Sequence, residues 1–60
     1  MIITYKTNGT PTTKSLTEWF FGKKFVRELT ESAIKIHNNE GGTEFRFWQN
    51  GTGYMTVVIH

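Results

Sequence analysis

The chain reads as a small single α+β domain: an antiparallel sheet with one helical segment packed on one face, in the order β-α-β-β-β. Three observations carry that reading. Apolar and polar residues alternate through most of the C-terminal half, with turn clusters between the runs. A capping-box pattern, Ser15-Leu16-Thr17-Glu18, precedes apolar residues at helical spacing. The first six residues, MIITYK, are rich in β-branched side chains, and Asn8-Gly9, a strong turn signal, follows after Thr7.

The elements follow in order. A strand is expected over MIITYK. The polar segment Thr10–Lys14 carries Pro11 and reads as a loop, the other option being a poor edge strand, the one place where a ladder tolerates proline. Ser15 as cap sets a helix over about 16–31. Leu16, Trp19 and Phe20 cluster on one side of it, and Phe25, Val26, Leu29 and Ala33 on another, with Gly22 between. One straight helix cannot bury both sets on a narrow stripe. Either the helix kinks or breaks at Gly22, which costs about 1 kcal/mol inside a helix, or core wraps more than half of its circumference. Ala33-Ile34-Lys35-Ile36-His37 alternates and reads as a strand. Asn38–Gly42 reads as a turn. Thr43–Gln49 and Tyr54–Ile59 complete a three-stranded meander around Asn50–Gly53.

Loop length decides which faces combine, because a slip of one residue turns a whole strand over. A three-residue loop at Asn50–Gly53, with Gly51 left-handed in a bulged turn, puts Phe45 and Phe47 with Met55, Val57 and Ile59. An even-numbered loop would bury Arg46 with Met55 and Val57, and an unpaired buried charge is costly. The apolar face is then covered by the helix through Phe20, Phe25, Val26 and Leu29, and Ile3 and Tyr5 join it if the first strand adds to the sheet. Parity sends Lys35, His37, Glu44, Arg46, Trp48, Tyr54, Thr56 and Val58 to the opposite face. There Lys35 would lie across from Arg46, and His37 across from Glu44.

Composition limits what such a domain can do. Sixty residues bury only about 60% of their unfolded surface, so stability is thin and a partner subunit is a common remedy. There is no Cys, which excludes disulfides and thiolate zinc sites. The chain compensates with nine Phe, Trp and Tyr side chains. Seven basic and five acidic residues leave a formal charge of +2, a mild excess that permits an acidic partner without demanding one. No apolar run approaches the length of a membrane span. The lack of Cys and of a basic-then-apolar leader points to a cytoplasmic protein. Asn8-Gly9-Thr10 and Asn50-Gly51-Thr52 match the glycosylation sequon but read as turns.

No catalytic residues, cofactor site or metal site are expected. There is no nucleophile in a strained turn, no third ligand beside His37 and Glu44, no glycine-rich phosphate loop, and little room for a substrate cleft. The expectation is a non-enzymatic binding module acting on another protein, or on itself as a homodimer. Its binding face would be Lys35, Arg46, Trp48, Tyr54 and His37. Trp, Tyr and Arg are the usual anchors of protein interfaces. The first alternative is a nucleic-acid-binding module, with bases stacked on Trp48 and Tyr54 and a secondary basic cluster of Lys23, Lys24 and Arg27. The second is a structural homodimer subunit. The plain alternative is that the Lys and Arg stems cover the rings and the face binds nothing. Size and economy suit a phage- or plasmid-type accessory protein that inhibits a host protein.

Overall fold

The computed structural model describes residues 1–60. Its elements are β1 (Ile3–Thr7), β2 (Thr10–Thr12), α1 (Lys14–Phe21), α2 (Lys23–Glu40), β3 (Glu44–Gln49) and β4 (Gly53–Ile59). The four strands form one antiparallel sheet in the order β2-β1-β4-β3, and both helices lie on one face of it. The α+β class and the helical layer on one face are as the sequence indicates. The order of elements differs in two places, each with a local cause.

The first difference is β2. Asn8 and Gly9 both have positive φ, 48° and 86°, and form a two-residue turn of the type I′ kind that suits the strand twist. Thr10–Thr12 therefore returns as an edge strand, with Thr7 opposite Thr10 and Tyr5 opposite Thr12. Pro11 sits between these two residues, so its nitrogen faces away from β1 and no ladder bond is lost. The loop expected over Thr10–Lys14 is thus a strand followed by a cap.

The second difference is Ala33–His37, which is helix rather than strand. Five alternating residues are too short a window to outweigh what surrounds them. Val26, Thr30, Ala33 and His37 recur at three- and four-residue spacing, and no Gly or Pro interrupts the chain between Gly22 and Gly41. Once a helix is nucleated each further residue adds a bond at little cost. It stops at Gly41, whose φ of 84° places it outside helical space. The expected three-stranded meander is therefore a hairpin of β3 and β4, with β1 on the far side of β4.

The helix begins earlier than the capping box indicates. Thr13, not Ser15, is the cap: its Oγ1 accepts from the Leu16 amide at 3.1 Å. Thr17 explains why. Its hydroxyl bonds the Thr13 carbonyl at 2.7 Å and the Thr12 hydroxyl at 2.8 Å, and Thr12 in turn bonds Thr7 Oγ1 at 3.0 Å. This ladder of threonines fastens α1 to the β1–β2 hairpin and satisfies the fully buried Thr17. Of the alternatives open at Gly22 the chain takes the break, with φ 95° and ψ 140°. Gln49 Nε2 donates to the Phe21 carbonyl at 3.0 Å, pairing an acceptor next to the break.

The core is Tyr5, Phe21, Val26, Ala33, Met55, Val57 and Ile59, with Ile3, Phe25, Leu29, Ile34, Phe45 and Phe47 half-buried around it. The β3–β4 register matches the three-residue-loop reading: Gln49 faces Gly53, Phe47 faces Met55 and Phe45 faces Val57. The turn itself differs. Thr52 N donates to the Gln49 carbonyl at 3.1 Å, with Gly51 (φ 83°) in the third position, as in a type II turn. Phe21 enters the core in place of Phe20, because α1 turns Thr17 and Phe21 inward.

Candidate functional site

The outer face of the sheet carries no helix. Its centre is built by cross-strand neighbours on β3, β4 and β1. Trp48 lies opposite Tyr54, and Arg46 opposite Thr56. On the other side of β4, Lys6 also lies opposite Thr56. Trp48 and Tyr54 are a non-hydrogen-bonded pair, the closer of the two kinds of antiparallel pairing, because the bonds between β3 and β4 belong to the alternate residues. Their rings stack with centroids 6.1 Å apart and planes 16° apart. The Arg46 guanidinium lies 4.8 Å from the Tyr54 centroid. Arg46, Tyr54 and Trp48 thus form one continuous ladder. Each side chain limits the freedom of the next, so less entropy is lost when the group is bound.

Arg46, Trp48 and Tyr54 are brought together as expected. Lys35 and His37 are not, because the residues that bear them are helical. Lys35 is exposed on α2. The His37 Nδ1 lies 2.6 Å from the Gly42 carbonyl. A carbonyl only accepts, so Nδ1 carries the proton and the ring braces the end of α2 against the turn into β3. The expected His37–Glu44 strand pair does not form, and Glu44 lies opposite Val58. The second cation on this face is Lys6, which stands on β1 with β4 between it and Arg46 and so does not fill the place expected for Lys35. It was missed because the neighbour of β4 was unknown. With Arg46 it flanks Thr56, which these neighbours bury although it points to the outer face.

The secondary basic cluster divides. Lys23 and Arg27 line a groove of about 270 Å³ between α1 and α2, together with Lys14, Glu18 and Glu31 and with Tyr5 at its floor. Lys24 does not line it. Three cations and two carboxylates leave the groove nearly balanced, without the single-sign character of a phosphate cradle. No three His, Asp or Glu side chains converge on a metal position. No helix is long and apolar enough to cross a membrane.

A second exposed patch lies on α1. Leu16, Trp19 and Phe20 are 57%, 83% and 43% exposed, and they fall on one stripe at positions i, i+3 and i+4. Their clustering is visible in the sequence. Their exposure follows from the Gly22 break, which lets α1 turn Thr17 and Phe21 to the core instead. No protein-family model, curated protein or solved structure matches the chain.

Proposed function

We propose that the chain is a non-enzymatic binding module that engages another protein through the outer face of its sheet. The observation that carries this reading is Trp48, which is 71% exposed yet held parallel to Tyr54 in a ladder that Arg46 extends. A ring already held in place loses little freedom when a partner covers it. Trp, Tyr and Arg are also the residues on which interface energy concentrates. In this reading Trp48 and Tyr54 are the anchors, and Arg46 and Lys6 steer an acidic partner. A domain of this size with a rigid aromatic face suits an accessory role, such as blocking the working surface of a larger protein.

The arrangement of Lys6 and Arg46 beside two stacked rings supports a second reading, a single-stranded nucleic acid lying across β1, β4 and β3. Salt separates the two. Phosphate contacts release counterions, so affinity falls steeply with salt, whereas a Trp-centred protein contact changes little. The test immobilises the wild-type chain and its Trp48→Ala variant and titrates whatever only the wild type retains. The protein reading expects a polypeptide whose affinity falls only modestly with salt, as the two steering charges are screened. A retained nucleic acid with a steep salt slope favours the second reading. Equal retention by both chains contradicts both.

A further inference from the structure

The two edges of the sheet are not alike. At β2 the edge is three residues long, and its single outward-facing nitrogen belongs to Pro11, which has no proton to give. The β3 edge is six residues long with no proline. Thr43 and Gln49 both direct their carbonyls towards the β4 side, to Ile59 N and Thr52 N. Alternation then leaves the amides and carbonyls of Glu44, Arg46 and Trp48 directed outward along the edge, with no strand beside them.

The surface beside this edge is apolar on the helical side. Tyr5 OH bonds Thr30 at 2.9 Å, so Thr30 marks the flank of α2 that faces β1. At 100° per residue, Phe25, Leu29 and Ile36 fall on the opposite flank, towards β3. They are only partly covered, as are Phe45 and Phe47 on the strand.

We infer that this edge pairs with the β3 edge of a second copy of the chain, giving a twofold dimer with one continuous eight-stranded antiparallel sheet. The occupant follows from self-complementarity. A twofold axis normal to the sheet must pass between one residue and its own copy. An axis at Arg46 opposes two guanidinium groups, which is destabilising. At Phe45 it pairs Glu44 with the partner's Arg46 favourably, but it engages only three strand residues of each copy and runs on into Gly41 and Gly42. An axis at Phe47 engages Phe45–Gln49 of both copies. It sets Arg46 across from the partner's Trp48, a cation beside a ring, and Phe47 against its own copy. The Arg46 and Trp48 groups then exchange four backbone hydrogen bonds across the axis. The Phe25, Leu29 and Ile36 flanks of the two copies close over the Phe47 pair. The outer faces join into one surface carrying both aromatic ladders, whatever that surface binds. The contact is smaller than the roughly 800 Å² per partner of a standard interface, so association in the micromolar range is expected.

Sedimentation velocity of the full chain from about 5 to 500 μM tests this. The expected result is a rise in weight-average mass from 7.0 kDa towards twice that value. Arg46→Pro removes an outward amide and no β3–β4 bond, so it should raise the dimer dissociation constant about tenfold or more while the circular dichroism is retained. Arg46→Ala keeps the amide and should shift it less. Phe47→Cys reads the register directly, since the chain has no cysteine of its own. Residues across a non-hydrogen-bonded pair have Cα atoms about 4.5 Å apart, within disulfide reach. Phe47→Cys should therefore cross-link at least about tenfold faster than Phe45→Cys, which faces Gln49 of the second copy. A monomer at every concentration overturns the inference. So does a dimer that Arg46→Pro leaves intact, above all one that Trp19→Lys dissolves, which would place the contact on α1.

Discussion

Replacing Gly53 by alanine probes the junction where the two hairpin turns meet. Asn8 holds that junction: its Oδ1 accepts from the Tyr54 amide at 2.9 Å, its Nδ2 donates to the Thr52 carbonyl at 3.4 Å, and its own amide donates to the Tyr54 carbonyl at 2.9 Å. A Cβ on Gly53 would overlap Oδ1 of Asn8 and stand 2.7 Å from its Cγ and 2.8 Å from its Nδ2. Gly53 also has a φ of 122°, which side chains rarely adopt. The backbone term is worth about 1–3 kcal/mol. Displacing the Asn8 side chain forfeits its two hydrogen bonds, worth about 0.5–1.5 kcal/mol each at best and less for the longer. The total, about 2–4 kcal/mol, is a large part of the roughly 3–9 kcal/mol expected of a domain this size. Urea denaturation of Gly53→Ala, Asn8→Gly and the double variant resolves the terms. Asn8→Gly keeps the positive φ that the turn needs and removes the overlap. In that background Gly53→Ala should cost only the backbone term, a coupling of about 1 kcal/mol or more. Equal costs in both backgrounds would refute the claim that the Asn8 side chain occupies the space beside Gly53.

Three further outcomes follow from named contacts. Thr13→Ala should cost about 1 kcal/mol in chemical denaturation, and Ser15→Ala less than half of that, because Thr13 and not Ser15 caps α1. Tyr5→Phe removes the bond to Thr30 from a buried ring and should cost about 1 kcal/mol, with the melting transition lowered and the fold retained. Trp19→Lys should change stability by no more than about 0.5 kcal/mol, since the ring is 83% exposed, and should raise solubility.

The β3–β4 hairpin was the most legible part of the chain. Its register follows from one choice of loop length, and only one choice keeps Arg46 out of the core. Gly22 was legible as an irregularity between two apolar stripes out of phase, though a continuous helix wrapped by core would also serve both stripes and only the fold decides for a break. Ala33–His37 is helical because a five-residue alternation carries less weight than an uninterrupted helical period begun at Lys23, and the site changes with it. The expected strand would have covered the outer edge of β3 and placed Lys35 and His37 beside Arg46. Without it the edge is open, and Lys6 of β1 supplies the second cation. Leu16, Trp19 and Phe20 form one apolar stripe in the sequence, and of the three Phe20 is expected in the core, where the structure places Phe21 instead. Which stripe of α1 faces in is set by the threonine ladder through Thr12 and Thr17, and that contact depends on a strand pairing the local sequence leaves open.

The outer sheet face is the proposed binding surface. The most direct test is an amide NMR map of the isotope-labelled chain with the polypeptide that Trp48→Ala fails to retain. The predicted result is a set of shifted signals centred on Arg46, Trp48, Tyr54 and Thr56 and reaching Lys6 across β4. Shifts confined to Leu16, Trp19 and Phe20, with the sheet face unmoved, would contradict the account and transfer the function to α1.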